Sequence, residues 1–89
     1  MIKQVRELVM KNSQGLHARP AAMLVQVVSK YNSVVIIQKG EEKVNCKSIM
    51  GILTFGAQQN TKLIIEATGD DALEVLNELE QLLSRESIE

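Results

Sequence analysis

Ala72-Leu73-Glu74-Val75-Leu76-Asn77-Glu78-Leu79-Glu80-Gln81-Leu82-Leu83 is the stretch whose reading settles the architecture. Ala72, Leu73, Val75, Leu76, Leu79, Leu82 and Leu83 recur at helical spacing and form one apolar stripe, while Glu74, Glu78, Glu80 and Gln81 fill the opposite side. A stripe this wide gains its stability by covering another element, and the segments upstream read as the sheet it must cover.

Working outward, Thr68-Gly69-Asp70 is turn and cap chemistry, and Thr61 to Ala67 alternates in part as a strand. Ser48 is a preferred N-cap type and Gly56 can end a helix over Ile49 to Phe55, which Gly51 should keep short. Val34 to Gln38 and Lys43 to Lys47 flank Lys39-Gly40-Glu41-Glu42, where Gly40 can supply the positive φ of a hairpin turn. A helix is expected after Pro20, to about Lys30, with Leu24, Val27, Val28 and Tyr31 on its apolar side. Ile2 to Met10 has the length and imperfect alternation of a first strand. Ser87 to Glu89 are expected to fray. The order is β-α-β-β-α-β-α. It suits an α/β fold of the α+β kind: a four-stranded, mostly antiparallel sheet with three helices on one face and the other face in water. Periodicity leaves the strand order open.

Composition narrows the function. With 89 residues the chain is expected to form a single domain, 1–89, too small for a deep catalytic cavity, so chemistry should sit near the surface. The apolar run Val34 to Ile37 is far shorter than the roughly 20 residues of a membrane span. Lys3, Arg6 and Glu7 interrupt any signal-peptide core, so a cytoplasmic location is expected with no membrane insertion. Cys46 is the only cysteine; it permits no internal disulfide or thiolate metal cluster, and it reads as a half-buried strand residue. A net charge of −1, with Tyr31 and Phe55 as the only aromatics, offers neither a phosphate-tracking basic face nor a base-stacking platform, so no direct nucleic-acid ligand is expected.

The chain's single histidine lies in Gly15-Leu16-His17-Ala18-Arg19-Pro20-Ala21-Ala22, at the expected start of a helix. That end of a helix presents N–H groups without intrahelical partners and a partial positive charge, so it favours an anion. Pro20 leaves Ala18 and Arg19 as the nearest free backbone donors for a phosphoryl group on His17. The same positive end favours a neutral, nucleophilic ring, and the Arg19 guanidinium can follow phosphate oxygens through transfer.

Gly15-Leu16-His17-Ala18-Arg19-Pro20-Ala21 resembles the phosphohistidine signature of the HPr family, the histidine phosphocarriers of the bacterial sugar phosphotransferase system, and the likeness extends over essentially the whole chain. The resemblance implies an open-faced sandwich and a relay. Enzyme I, charged by phosphoenolpyruvate, passes the phosphoryl group to Nδ1 of His17, which hands it to sugar-specific enzyme IIA domains, with no cofactor and no metal. It also implies a carrier consumed and regenerated rather than an autonomous enzyme, working as a monomer.

A second segment, Lys47-Ser48-Ile49-Met50-Gly51, resembles the regulatory serine segment of Gram-positive members. There a dedicated HPr kinase/phosphorylase modifies the serine, and the product is a corepressor for the catabolite control protein. Phosphate on Ser48 would add about −1.5 to −2 charges where a helix dipole accommodates them. Leu16, Met23, Ile49, Met50 and Leu53 are expected to form a small apolar docking patch rimmed by Lys47 and Arg19. The alternative is a purely regulatory paralogue acting through Ser48, but such paralogues lack the active histidine. The chain departs from the family pattern at Gln14, where a short Ser or Asn is usual near the phosphate. It departs also at Gly40-Glu41, in place of Asn-Gly, and at Asn60, in place of glycine.

Overall fold

The computed structural model describes residues 2–86, so the expected fraying of Ser87 to Glu89 lies outside the described residues. The elements are β1 (Lys3–Val9), α1 (Ala18–Ser29), β2 (Val34–Lys39), β3 (Glu42–Asn45), α2 (Ile49–Phe55), β4 (Lys62–Thr68) and α3 (Ala72–Leu83). Their order and kind are those expected from the sequence. The strands form one sheet in the order β1-β4-β2-β3 with every neighbouring pair antiparallel.

Alternation decides which face is covered. In β4, Leu63, Ile65 and Ala67 are buried while Lys62, Ile64, Glu66 and Thr68 point the other way, and in β2 Val35 and Ile37 join the buried set. The helices bury Leu24 and Val28 of α1, Ile52 and Phe55 of α2, and Val75, Leu76, Leu79 and Leu83 of α3 in the same cluster. Leu73 departs from the expected stripe. It is 50% exposed, because the α3 stripe is centred on Leu76 and Leu79 and position 73 falls beyond its edge.

The hairpin between β2 and β3 pairs Lys39 with Glu42 and turns on Gly40 and Glu41. Gly40 has φ +59° and Glu41 lies outside the positive-φ region, which fits a turn of type II′ with glycine first. β3 ends at Asn45, two residues before the expected end. Cys46 therefore sits in the turn beyond the strand and is fully buried rather than half-buried, its N–H bonded to the Val35 carbonyl at 2.9 Å. Asn60 takes φ +70°, as its tolerance of the left-handed region anticipates.

α1 starts two residues before Pro20. The His17 carbonyl accepts the Ala21 N–H at 2.9 Å, so Pro20 occupies a first-turn position whose N–H has no intrahelical role. The far end of α1 is tied to α3. The Asp71 carboxylate accepts from the N–H groups of Asn32 and Ser33, at 2.8 and 3.0 Å, and from the Ser33 hydroxyl. Glu78 accepts from Lys30 and from the Tyr31 hydroxyl, the latter at 2.6 Å. Among the described residues no helix is long and apolar enough to cross a membrane.

Candidate functional site

His17 is the N-cap of α1, half-buried at the rim rather than packed in the core. The chain reaches it through a tightly held loop. Lys11 N–H donates to the Leu83 carbonyl (3.2 Å), Ser13 N–H to Glu86 (3.1 Å), Gly15 N–H to Asn12 (3.0 Å) and Leu16 N–H to Ala57 (2.7 Å). Gly15 adopts φ +69°, and a Cβ there would stand 2.4 Å from the Ala57 carbonyl oxygen. Only glycine satisfies both the conformation and the close approach.

The first hydrogen bond of the α1 ladder is made by Ala21, and Pro20 has no N–H, so the Ala18 and Arg19 amides are the two donors left at this helix tip. Arg19 is exposed and enters no ion pair among the described residues. The imidazole does not rest on the Ala18 or Arg19 amides. Its Nδ1 lies 3.2 Å from the Gly15 carbonyl oxygen, an attractive contact only when Nδ1 carries the proton. The same oxygen accepts from Asn12 Nδ2 at 2.7 Å, and Asn12 is buried. Gln14 is exposed and forms no side-chain hydrogen bond with a described residue, so it makes none of the contacts of a shorter polar side chain there.

Ser48 is the N-cap of α2, its Oγ accepting the Gly51 N–H at 3.1 Å, and the residue is exposed. A Cβ on Gly51 would come 2.4 Å from Val44 Cγ2, so the glycine that weakens the helix also lets it sit close on β3. Ile49, Met50 and Leu53 are 38%, 69% and 41% exposed, and Met23 is half-buried against the core. Leu16 is a correction. The positive φ of Gly15 turns the chain inward and Leu16 enters the core at 4% exposure, so it is no part of an accessible patch. Lys47 is exposed, with its ammonium on the Tyr31 carbonyl at 3.2 Å.

Three contacts, the first of them at the site, escaped the sequence. Asn12 was legible only as a turn residue, although an Asx residue three before a glycine is a signal for a side chain folding back on its own loop. Lys39 caps the other end of α2, donating to the Phe55 carbonyl at 2.9 Å with its ammonium 5.1 Å from the Phe55 ring centre. The Asp71 pKa is lowered from the ordinary carboxylate value, first by the Ser33 hydroxyl and then by the Asn32 amide.

Comparison with known proteins agrees with this geometry. The family described as "PTS HPr component phosphorylation site" matches residues 4–85. HPr-C-His from Thermoanaerobacter tengcongensis is 42% identical over 90% of this chain and 90% of its own, with a TM-score of 0.86. The phosphocarrier HPr of Bacillus anthracis is 31% identical over 93% of this chain and 99% of its own, with a TM-score of 0.88. Crh, the Bacillus subtilis catabolite repression containing protein, described as a swapped dimer, is 34% identical over all of both chains (100% and 100%), with a TM-score of 0.75. With the family matched over nearly its whole length on this fold, the chain belongs to the HPr family of phosphotransferase-system phosphocarriers.

Proposed function

We propose that the chain accepts a phosphoryl group on His17 from enzyme I, charged by phosphoenolpyruvate, and passes it to enzyme IIA domains during sugar uptake in the cytoplasm. The observation that carries this reading is the placement of the only histidine, half-exposed at the positive tip of a twelve-residue helix, beside exposed Arg19. In the transfer the Nδ1 lone pair attacks phosphorus as the bond from phosphorus to the donor breaks, and that electron pair returns to the donor. The Ala18 and Arg19 amides and the Arg19 guanidinium then face the anion. The transfer needs alignment and charge compensation rather than a cavity, so each partner completes the site in turn, with the carrier working as a monomer.

The test is incubation with enzyme I and phosphoenolpyruvate. The chain gains one acid-labile, base-stable phosphate, and His17→Ala gains none; a phosphate retained in His17→Ala overturns the assignment.

Ser48 is the proposed regulatory site, supported by its exposure beside Ile49, Met50 and Leu53 and by the similarity to Crh. Phosphorylation by an HPr kinase/phosphorylase adds a dianion at the edge of an apolar patch. That weakens docking of phosphotransfer partners and creates a surface for the catabolite control protein. A purely regulatory role draws support from the same similarity, but it leaves His17 without a use. Kinase and ATP leave Ser48→Ala unmodified in this reading, and equal modification of both proteins refutes it.

A further inference from the structure

The loop before His17 carries a second polar side chain that is buried, hydrogen-bonded and one atom removed from the imidazole. We propose that Asn12 is a positioning residue for His17: by holding the Gly15 carbonyl, it fixes the resting ring with Nδ1 as a hydrogen-bond donor. When that contact opens, the Nδ1 proton passes to solvent as Nε2 takes one up, and the lone pair freed on Nδ1 can then accept the phosphoryl group. The inference rests on His17 as the phosphoryl acceptor.

Three observations carry it. Asn12 is 2% exposed, and its Nδ2 donates to the Gly15 oxygen at 2.7 Å, the short end of the amide range. The residue it holds is fixed at two further points: Gly15 N–H on the Asn12 carbonyl, and the Leu16 N–H of the same held peptide on the Ala57 carbonyl. The held oxygen stands 3.2 Å from His17 Nδ1. A carbonyl oxygen has no proton to give, so a bare Nδ1 facing it meets lone pair against lone pair, and the contact favours the ring form with the proton on Nδ1. A phosphoryl group on Nδ1 could not occupy the side facing Gly15 either, because two oxygens carrying negative charge would meet there. The ring must turn toward the Ala18 and Arg19 amides as it accepts, and Asn12 sets what it turns away from. The Asn12 amide also spares the buried Gly15 oxygen from relying on the histidine alone, so that oxygen stays satisfied while the ring swings out.

The experiment is NMR of the uniformly nitrogen-15 and carbon-13 labelled full chain at a pH where the ring is neutral. In the wild type the Nδ1 resonance is of the protonated kind and Nε2 of the bare kind, with a hydrogen-bond coupling from Asn12 Nδ2 to the Gly15 carbonyl carbon. In Asn12→Leu, alike in branching but without a donor, and in the smaller Asn12→Ala, the two ring resonances move toward each other as the Nε2-protonated form gains. Asp71→Asn, which loosens the fold at the opposite end of α1, leaves both resonances in place. A protonated Nε2 with bare Nδ1 in the wild type overturns the proposal without any variant. So do unchanged ring resonances in a folded Asn12 variant, or an equal shift in Asp71→Asn. Mass and phosphorus-31 measurements after enzyme I treatment of the wild type judge the acceptor assignment separately: no phosphate on His17 would sink that assignment while leaving the ring geometry as measured.

Discussion

Replacing Gly15 with alanine isolates the demand that the site makes on the backbone. Gly15 and Gly40 both hold positive φ, +69° and +59°, yet their surroundings differ. A Cβ on Gly40 meets nothing within 4 Å, whereas one on Gly15 stands 2.4 Å from the Ala57 oxygen and 2.9 Å from the Gln58 Cα, both backbone atoms that cannot rotate aside. Each substitution carries the left-handed penalty of about 1–2 kcal/mol. Each also recovers about 0.4–1 kcal/mol by restricting the unfolded chain, so this part cancels between them. Gly15→Ala adds overpacking of about 1–3 kcal/mol, because the Ala57 carbonyl must withdraw and weaken its bond from Leu16. Gly15→Ala is therefore expected to be less stable than Gly40→Ala by about 1–3 kcal/mol. Urea unfolding of wild type and both variants reads this as ordered midpoints at a common m value, with melting points separating by roughly 4–8 °C for each kcal/mol. Equal midpoints for Gly15→Ala and Gly40→Ala would show that the loop yields freely and that the close approach to Ala57 does not constrain it.

Two further outcomes follow from titratable groups away from the site. Asp71 and Glu78 have depressed folded-state pKa values, caused first by the Ser33 hydroxyl and the Lys30 ammonium respectively. Their contribution is present above the ordinary carboxylate range near pH 4 and is lost as pH falls through the lower folded values. Urea midpoints should drop on acidification, less steeply in the double variant Asp71→Asn, Glu78→Gln, and an identical acid slope in both proteins refutes this. Burial pushes the Cys46 thiol up to about 12, so a disulfide reagent at neutral pH should leave the native chain untouched and modify one thiol in urea. Modification of the native chain at the rate of an exposed cysteine counts against the burial.

Elements whose evidence is local were legible from the residues. The α3 helix, the Gly40 turn and the Ser48 cap each depend on spacing or on one residue's backbone preference, and each appears where expected. The strand order β1-β4-β2-β3 was not legible, because pairing is decided by which faces meet across long separations. Leu16 and Leu73 failed for one reason: apolar character says that a residue could be buried, and only the direction of the chain says whether it is. Gly15 sends Leu16 inward, and the angular position of Leu73 sends it out. Asn12 was hidden differently, since its importance lies in a carbonyl three residues away whose own importance comes from the ring beyond it.

The helix that decides the fold also frames the site. α3 ends in carbonyls that its own ladder leaves without partners, and the loop before His17 takes up this capacity through Lys11 on Leu83, with Ser13 on Glu86 just beyond. Asp71 at its N-cap and Glu78 in mid-helix hold the residues that close α1. α1 is thereby located from both ends by one neighbour, and its N-terminal tip can display a histidine in a defined place without walls around it. Loosening the last turn of α3 should release the loop and the Gly15 carbonyl together, although no residue of α3 hydrogen-bonds His17. His17 sits at the rim of the fold, and the packing of α3 orders from behind the loop that leads to it.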